Sequence, residues 1–316
     1  MSASFKNSGW LEGLNDTVMT DDIRGEFAKG YLEQMITDKG GNVIGVPGYS
    51  GYLAFWVNQK IMDNAGITSI DTKEDFKKYM SAASVNGTYG YGGSWEKTYV
   101  FNEIAQFVNM FGGDYFDWTR PENKEAIQFL YDMVKNNETP IDQIADKYEQ
   151  MNPKANDGKY GCWFMWGLGS DYQKAGMLGD DKIHMAMVPS MTDDGNRAIF
   201  TDSWSYVLNS ASKNKEAAIK FLKYMASEGG MEASYKAFDR YPARKDVAEK
   251  VVPDSDPAKE MYTRYASECN VQGRPMLPQT MEFITDMGTI YQSCMKGEIS
   301  VDDFCKKAQD LVDKYK

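Results

Sequence analysis

The 316-residue chain reads as an α/β protein, and three observations carry that reading. Short apolar runs, Leu53 to Val57, Tyr160 to Trp166 and Ile183 to Val188, alternate with segments whose apolar residues recur at helical spacing. The run from Tyr160 to Trp166 is apolar on both faces, as a strand covered by helices on each side would be. Glycine and proline mark the places where one period gives way to the other.

In chain order, Asp21 to Thr37 reads as a helix with Ile23, Phe27, Tyr31 and Met35 on one side and Gly30 as a weak point. Gly40-Gly41-Asn42 turns the chain into a strand from Val43 to Val46, stopped by Pro47. Gly48 to Tyr52 reads as a hinge, because its glycines permit a backbone crossing that bulkier residues resist. The strand Leu53 to Val57 follows, and Asn58 starts a short helix that ends near Gly66. Thr72 and Asp75 make a capping-box pattern before a stripe of Phe76, Tyr79, Met80 and Ala83. Tyr89 to Gly93 is a strand entering a glycine turn. Ser94 to Tyr99 then opens a helix whose stripe is Val100, Ile104, Phe107, Val108 and Phe111, which sets Trp95 and Glu96 at a helix entrance. Pro121 suits a first helical turn, with Ala126, Leu130 and Met133 inward, and Ile141 to Met151 reads as a further helix.

Trp166 lies at the exit of its strand, before Gly167-Leu168-Gly169 and a short helix near Asp171. The strand from Ile183 is ended by Pro189, and it makes His184, the single histidine, a satisfied structural residue rather than a base. Ala198 to Leu208 reads as one strand in which Phe200, Trp204, Tyr206 and Leu208 share a face with Asp202. Ser212 or Asn214 caps the helix from Lys215, whose buried stripe is Ala218, Phe221, Leu222 and Met225, and Gly229-Gly230 ends it. The remainder is mainly helical. Pro242 forces an extended bend, Pro257 opens a helix toward Cys269, and Phe283, Met287, Ile290 and Cys294 line the next. Ser300 to Asp303 caps the last helix, which carries Val301, Phe304, Ala308 and Leu311.

A net charge of -11 argues against nucleic acid and anionic membrane surfaces as partners. Twenty tyrosines and seven tryptophans supply flat rings from which stacking surfaces can be built. The four cysteines, Cys162, Cys269, Cys294 and Cys305, show neither metal-ligand spacing nor a disulfide framework, so no metal or cofactor is expected. No apolar run is long enough to span a bilayer, and the first residues carry no export signal. There is no P-loop, no dinucleotide fingerprint and no GxSxG elbow. Glu96, Asp171 and Asp202 stand near aromatics at element ends. Two of them could serve a glycoside hydrolase, and acids beside rings serve equally well to hold sugar hydroxyls.

With these segments placed, the chain resembles the extracellular solute-binding proteins of ABC importers, the carbohydrate-binding group that includes maltose-binding protein. The motifs that carry the resemblance are Val43-Ile44-Gly45-Val46-Pro47, Phe55-Trp56-Val57-Asn58-Gln59, Ala65-Gly66-Ile67, Phe111-Gly112-Gly113-Asp114 and Asn123-Lys124-Glu125-Ala126. They continue through Gly158-Lys159-Tyr160-Gly161, the run from Ser212 to Ala218, Tyr241-Pro242-Ala243-Arg244-Lys245 and Gly297 to Asp302. Their order over almost the whole chain is the specific part.

The resemblance implies a type II periplasmic-binding-protein-like fold of two α/β lobes with a hinge. A sugar held by both lobes, or alternatively a different solute such as a sugar acid or small peptide, would favour a closed state, no bond would be broken, and a membrane permease would receive the solute. It implies that residues 1–47 are the remainder of the N-terminal lobe, 48–198 the C-terminal lobe, and 199–316 crossing segments and helices completing both. Tyr49, Trp95, Glu96, Trp166, Asp202, Trp204, Arg240 and Tyr241 are the ligand-facing residues it implies. It further implies a bacterial, extracytoplasmic monomer with a lipoprotein anchor, and an incomplete first lobe that weakens binding by this chain alone. One departure bears on the ligand: Ile284 stands where maltose-binding protein has a ring, so a stacking platform for maltodextrin is missing.

Overall fold

Leu53–Asn58 and Tyr160–Trp166 occupy the centre of a four-stranded sheet, as runs without a polar face must. The strand order is Tyr89–Gly92, Tyr160–Trp166, Leu53–Asn58, Ile183–Ala186; the first pair is parallel and the other two are antiparallel. Leu53 lies opposite Trp166, and Val57 lies opposite both Cys162 and His184. This computed structural model describes residues 5, 8–27, 32, 36–38, 40–167, 169–275, 277 and 279–316.

The chain divides into two units. The first is Met1–Tyr52, Thr201–Glu260 and Gly273–Thr280; the second, which holds the four-stranded sheet, is Leu53–Phe200, Met261–Gln272 and Met281–Lys316.

In the second unit an aromatic core lies between sheet and helices. Phe76 stacks on Phe129 at 5.7 Å between centroids, and Phe107 meets Tyr91 and Phe164 edge-on at 5.6 and 5.7 Å. The Lys73–Ala83 helix starts as its sequence dictates: the Thr72 hydroxyl accepts from the Asp75 N–H, and the Asp75 carboxylate accepts from the Thr72 N–H, both at 3.2 Å. Ser300 caps Val301–Tyr315 with the same reciprocal pair through Asp303, while Asn58 caps Gln59–Asn64 by its side chain alone, which accepts from the Ile61 N–H. The Phe101–Met110 helix is buried on every side, its polar residues included. Cys162 is buried in the central strand, and burial holds its thiol well above the usual range.

The first unit has an aliphatic core of Leu14, Val18, Val43, Leu222, Met231 and Val247, among others. Its strands are short: Val46–Pro47 pairs antiparallel with Ser205–Tyr206. The helices Lys215–Ala226, Glu228–Phe238 and Lys245–Val251 complete it.

Several elements differ from the sequence reading, each for a local reason. The helix read from Asp21 is interrupted after Asp21–Gly25, where Phe27 pairs with Arg244 and the Glu26 carbonyl accepts from the Lys245 N–H at 3.0 Å. Gly30, Tyr31 and Met35 lie outside the described residues. Val43 makes an isolated bridge to Thr37, and the strand is Val46–Pro47, which ends at Pro47, opposite Ser205. Ser94 to Tyr99 is extended and then turned, and the helix begins at Phe101; the N–H groups of Trp95 and Glu96 are taken by the carbonyls of Gln143 and Asp146 at 3.2 and 3.0 Å. That bond to Asp146 also divides the segment read as Ile141 to Met151 into a 3-10 turn, Ile141–Ala145, and a helix, Tyr148–Asn156.

Further on, Ile183–Ala186 is the strand read as ending at Pro189. Ala198 to Leu208 is two strands, Ala198–Thr201 and Ser205–Tyr206, separated at Asp202 to Trp204. Neither Ser212 nor Asn214 gives a side-chain cap to Lys215–Ala226. That helix ends at Ser227, which caps Glu228–Phe238, and both glycines lie within this next helix. Gly230 is required there because a Cβ would collide with the Tyr224 carbonyl. Phe221 is 53% exposed rather than core, its ring against Tyr206. Tyr291 and Val312 take the buried positions assigned to Ile290 and Leu311. His184 is not satisfied: its Nδ1 is buried with no partner among the described residues, and burial lowers its pKa.

Candidate functional site

Five of the eight residues singled out from the sequence meet on the first unit, and backbone pairing brings them together. Gly48 to Tyr52 runs beside Asp202 to Trp204. The Gly48 N–H donates to the Trp204 carbonyl at 2.8 Å, the Asp202 N–H donates to the Gly51 carbonyl at 3.2 Å, and the Ser203 hydroxyl donates to the Tyr49 carbonyl. The approach is close enough that a Cβ on Gly51 would lie 2.8 Å from the Asp202 carbonyl oxygen. A third segment joins through the Ser50 N–H, which donates to the Tyr241 carbonyl at 2.8 Å. Tyr49, Asp202, Trp204, Arg240 and Tyr241 therefore share one region, fixed by main chain rather than by side-chain packing.

Their side chains form a ring-and-charge patch. Trp204 is 76% exposed, so its ring is held out from the fold instead of filling it. The Arg240 guanidinium lies 5.8 Å from the centroid of the Tyr49 ring. Asp202 pairs with Nε of Arg274 at 3.2 Å and accepts from the Ser203 N–H at 2.9 Å. Burial and the Asp202 charge raise the Tyr49 hydroxyl pKa, while Arg240 and Arg274 act against that rise. Burial, aided by Asp256 and Tyr235, pushes Tyr241 up to about 12. Arg274 was not foreseen; it stands far from Asp202 in the chain, in no motif.

On the second unit, Trp166 and Glu96 belong to a different cluster, and most of its members also went unforeseen. The Trp166 indole N–H donates to the Tyr148 hydroxyl at 2.9 Å, as does the Asn102 amide. Tyr99 meets Tyr148 edge-on at 4.8 Å, and Lys147 Nζ lies 5.6 Å from the Tyr99 ring centroid. All three rings are half-buried, which leaves part of each open to solvent. The Glu96 carboxylate accepts from the Thr98 N–H at 2.9 Å and from the Thr98 hydroxyl.

Trp95 departs from expectation. It is fully buried, its ring edge-on to Tyr291 at 5.3 Å, so it presents no face to a ligand. The cause is Glu103, a buried carboxylate on the Phe101–Met110 helix. It accepts from the Trp95 indole N–H at 3.0 Å, from the Ser94 N–H at 2.7 Å and from the Tyr91 hydroxyl. Burial pushes Glu103 up to about 7, and these three donors pull the other way. Gln143 and Gln292 complete the network, through Gln143 Oε1 on the Gly93 N–H at 2.7 Å and the Gln292 amide on the Trp95 carbonyl at 2.8 Å. Ile284 is buried at 2% exposure.

The side chain of Asp171 lies outside the described residues. Glu96 and Asp202, the other acids named for hydrolysis, are each already engaged with neighbours in their own unit. A groove of about 550 Å³ on the second unit, lined in part by Lys73, Phe111, Lys124, Glu125 and Phe129, holds none of the residues above. Two of its lysines are paired, Lys73 with Glu125 and Lys124 with Asp302. Among the described residues no group of three or more His, Cys, Asp and Glu gathers as a metal site, and no helix is long and apolar enough to cross a membrane.

Comparison with known proteins gives these patches a context. The arabinooligosaccharide-binding protein of Halalkalibacterium halodurans is 28% identical over 234 residues, which are 69% of this chain and 51% of that protein. The chain thus spans about half the length of this curated relative. Among solved structures, maltose-bound MalE3 of T. maritima superposes with a TM-score of 0.79 at 19% identity, covering 98% of this chain and 81% of that one. A solute-binding protein of Thermotoga lettingae bound with α-D-tagatose gives 0.81 at 21%, covering 99% and 82%. The GacH receptor of Streptomyces glaucescens gives 0.80 at 18%, covering 100% and 82%. At these identities the likeness is one of fold, the type II binding-protein fold. The relatives are solute-binding proteins rather than enzymes. The family model for the bacterial extracellular solute-binding protein matches residues 1–232, and the chain belongs to that family.

Proposed function

We propose that this chain is the substrate-binding component of an ABC importer, that it binds a sugar or oligosaccharide without altering it, and that it hands the ligand to a membrane permease. The observation that carries the proposal is Trp204, a large ring 76% exposed beside Tyr49, Asp202 and Arg240. An exposed ring covers the apolar C–H face of a pyranose, and the flanking charged groups hydrogen-bond its hydroxyls. The cluster of Trp166, Tyr148 and Tyr99 supplies rings of the same kind on the second unit.

The names of the relatives support a saccharide as the ligand class, and the two units are read as the two lobes of the family. We place the protein outside the cytoplasm, acting as a monomer and without a cofactor. Trp95 is left out of the contact set because its ring is buried; Tyr49, Asp202, Trp204, Arg240 and Tyr241 remain in it, with Trp166 and Glu96.

A thermal-shift screen over a sugar panel tests the reading, since a ligand that binds only the folded chain raises Tm. Trp204→Ala is expected to weaken the best ligand about 10- to 100-fold, or about 1.4–2.8 kcal/mol, with Tm of the free protein unchanged. Release of new reducing ends from the same sugars would replace this reading by a hydrolytic one. A Trp204→Ala protein that binds like the parent would remove the patch from the site.

A further inference from the structure

Hydrogen-bonding capacity in the first-unit patch is lopsided. A neutral sugar hydroxyl donates one hydrogen bond and accepts others, so a surface fitted to it offers both kinds of partner. Here the acceptors already carry partners. Asp202 gives one oxygen to the Ser203 N–H at 2.9 Å and the other to Arg274 at 3.2 Å. The Gly51 carbonyl takes the Thr201 hydroxyl at 2.7 Å and the Asp202 N–H at 3.2 Å; the Trp204, Tyr49 and Tyr241 carbonyls take Gly48, Ser203 and Ser50.

The donors remain open. Arg240 is exposed and lies over the Tyr49 ring with no acidic partner among the described residues. The indole N–H of the exposed Trp204 has none either. Charge follows the same sign: the groups acting on the Tyr49 hydroxyl are one carboxylate, Asp202, and two guanidinium groups, Arg240 and Arg274. The nearby acids Asp239 and Asp256 act on Tyr235 and Tyr241 instead. In a chain of net charge -11, a donor-rich spot with an unpaired guanidinium stands apart from its surroundings.

We infer that the saccharide carries a carboxylate, as a uronic acid does, and that Arg240 receives it. The inference rests on the saccharide reading above. A carboxylate only accepts, and the planar guanidinium edge matches its two oxygens in a paired, two-bond geometry that a lysine cannot reproduce. The cation–π contact with Tyr49, at 5.8 Å from the ring centroid, keeps the guanidinium at the patch.

Calorimetry on the full chain tests this with trigalacturonic acid, a glucuronic-acid-bearing xylo-oligosaccharide, the methyl ester of each, and neutral arabino-, malto- and xylo-oligosaccharides. Esterification removes the charge and keeps the ring. At least one acid is expected to bind about tenfold or more tightly than its ester, and Arg240→Gln to cut that acid about tenfold and its ester by less, so that the preference for the acid shrinks. Arg240→Lys should fall between the two. Because Arg240 is exposed, an unaltered Tm shows that the variants are folded. Esters or neutral sugars that bind as tightly as the acids, or an Arg240→Gln protein with full affinity for the acid, would overturn the inference and leave the proposed function standing. If no saccharide of either class binds, both fall.

Discussion

The two units present their rings by different means. In the first, Tyr49, Asp202, Trp204, Arg240 and Tyr241 hang from three backbone segments tied to one another through main-chain carbonyls and N–H groups. In the second, the turn that carries Glu96 and Tyr99 rests on buried side chains besides its main-chain bonds, with Glu103, Gln143 and Gln292 committing polar atoms to it. An uncompensated carboxylate inside a protein is costly, and three neutral donors only partly offset the lost hydration. The first arrangement separates stability from recognition, since a side chain can be removed there without touching what fixes its neighbours. The second couples them.

Trp95→Ala should have the largest effect and is the sharpest way to break this contrast. Removing a fully buried indole costs about 3–5 kcal/mol, and it strips Glu103 of a donor besides. Chemical denaturation should show the loss directly. If stability holds and only the ligand-induced shift vanishes, Trp95 faces the ligand and the contrast fails.

Glu103→Gln is next. With the carboxyl at about 7 in the fold and near 4.5 when unfolded, the folded chain retains a proton between those values that the unfolded chain releases. The contribution of Glu103 to stability is therefore greatest below the lower value and falls as pH rises through the window, by on the order of 3 kcal/mol in total. Urea midpoints at pH 5 and 7.5 should move apart less in Glu103→Gln than in the parent. An identical pH slope would remove Glu103 as the titrating group.

Gly51→Ala should act more modestly, yet on both properties at once. The new Cβ presses on the Asp202 carbonyl, and the shift needed to accommodate it costs about 1–3 kcal/mol. Stability and sugar affinity should fall together, whereas Trp204→Ala spares the first. Loss of neither would mean that the crossing does not fix the patch.

What could be read from the sequence was what depends on near neighbours. The capping residues Thr72, Asn58 and Ser300 act within four positions of themselves, and Tyr160–Trp166 announces its burial by having no polar face. The α/β class and the family follow from many such local cues in order. The single strand read over Ala198 to Leu208 failed because alternation describes one chain, while a strand needs an unbroken partner. Here the partner changes, from Asn270–Gly273 for Ala198–Thr201 to Val46–Pro47 for Ser205–Tyr206, and between them Asp202 to Trp204 runs beside Gly48 and Gly51; two glycines in a segment read as a crossing were the available signal.

Trp95 was misplaced for a related reason. Spacing put it at a helix entrance, but the atom that draws it inward belongs to Glu103, a charged residue that the stripe argument assigned to no buried position. The adjoining Gly93, whose Cβ would lie 2.6 Å from a Glu103 oxygen, was the trace this left in the sequence. Arg274, Tyr99 and Tyr148 are joined to their partners by folding alone, and no spacing rule reaches them.

The division into units also constrains how the chain acquires its structure. The strand Val46–Pro47 needs Ser205–Tyr206, and residues 53–200 are made between them. During synthesis the early segments of the first unit must wait, with their apolar side chains uncovered, while the second unit can begin to assemble from what has already emerged. Closing so long a loop is slow, so refolding should show the aromatic core of the second unit maturing ahead of the aliphatic core of the first.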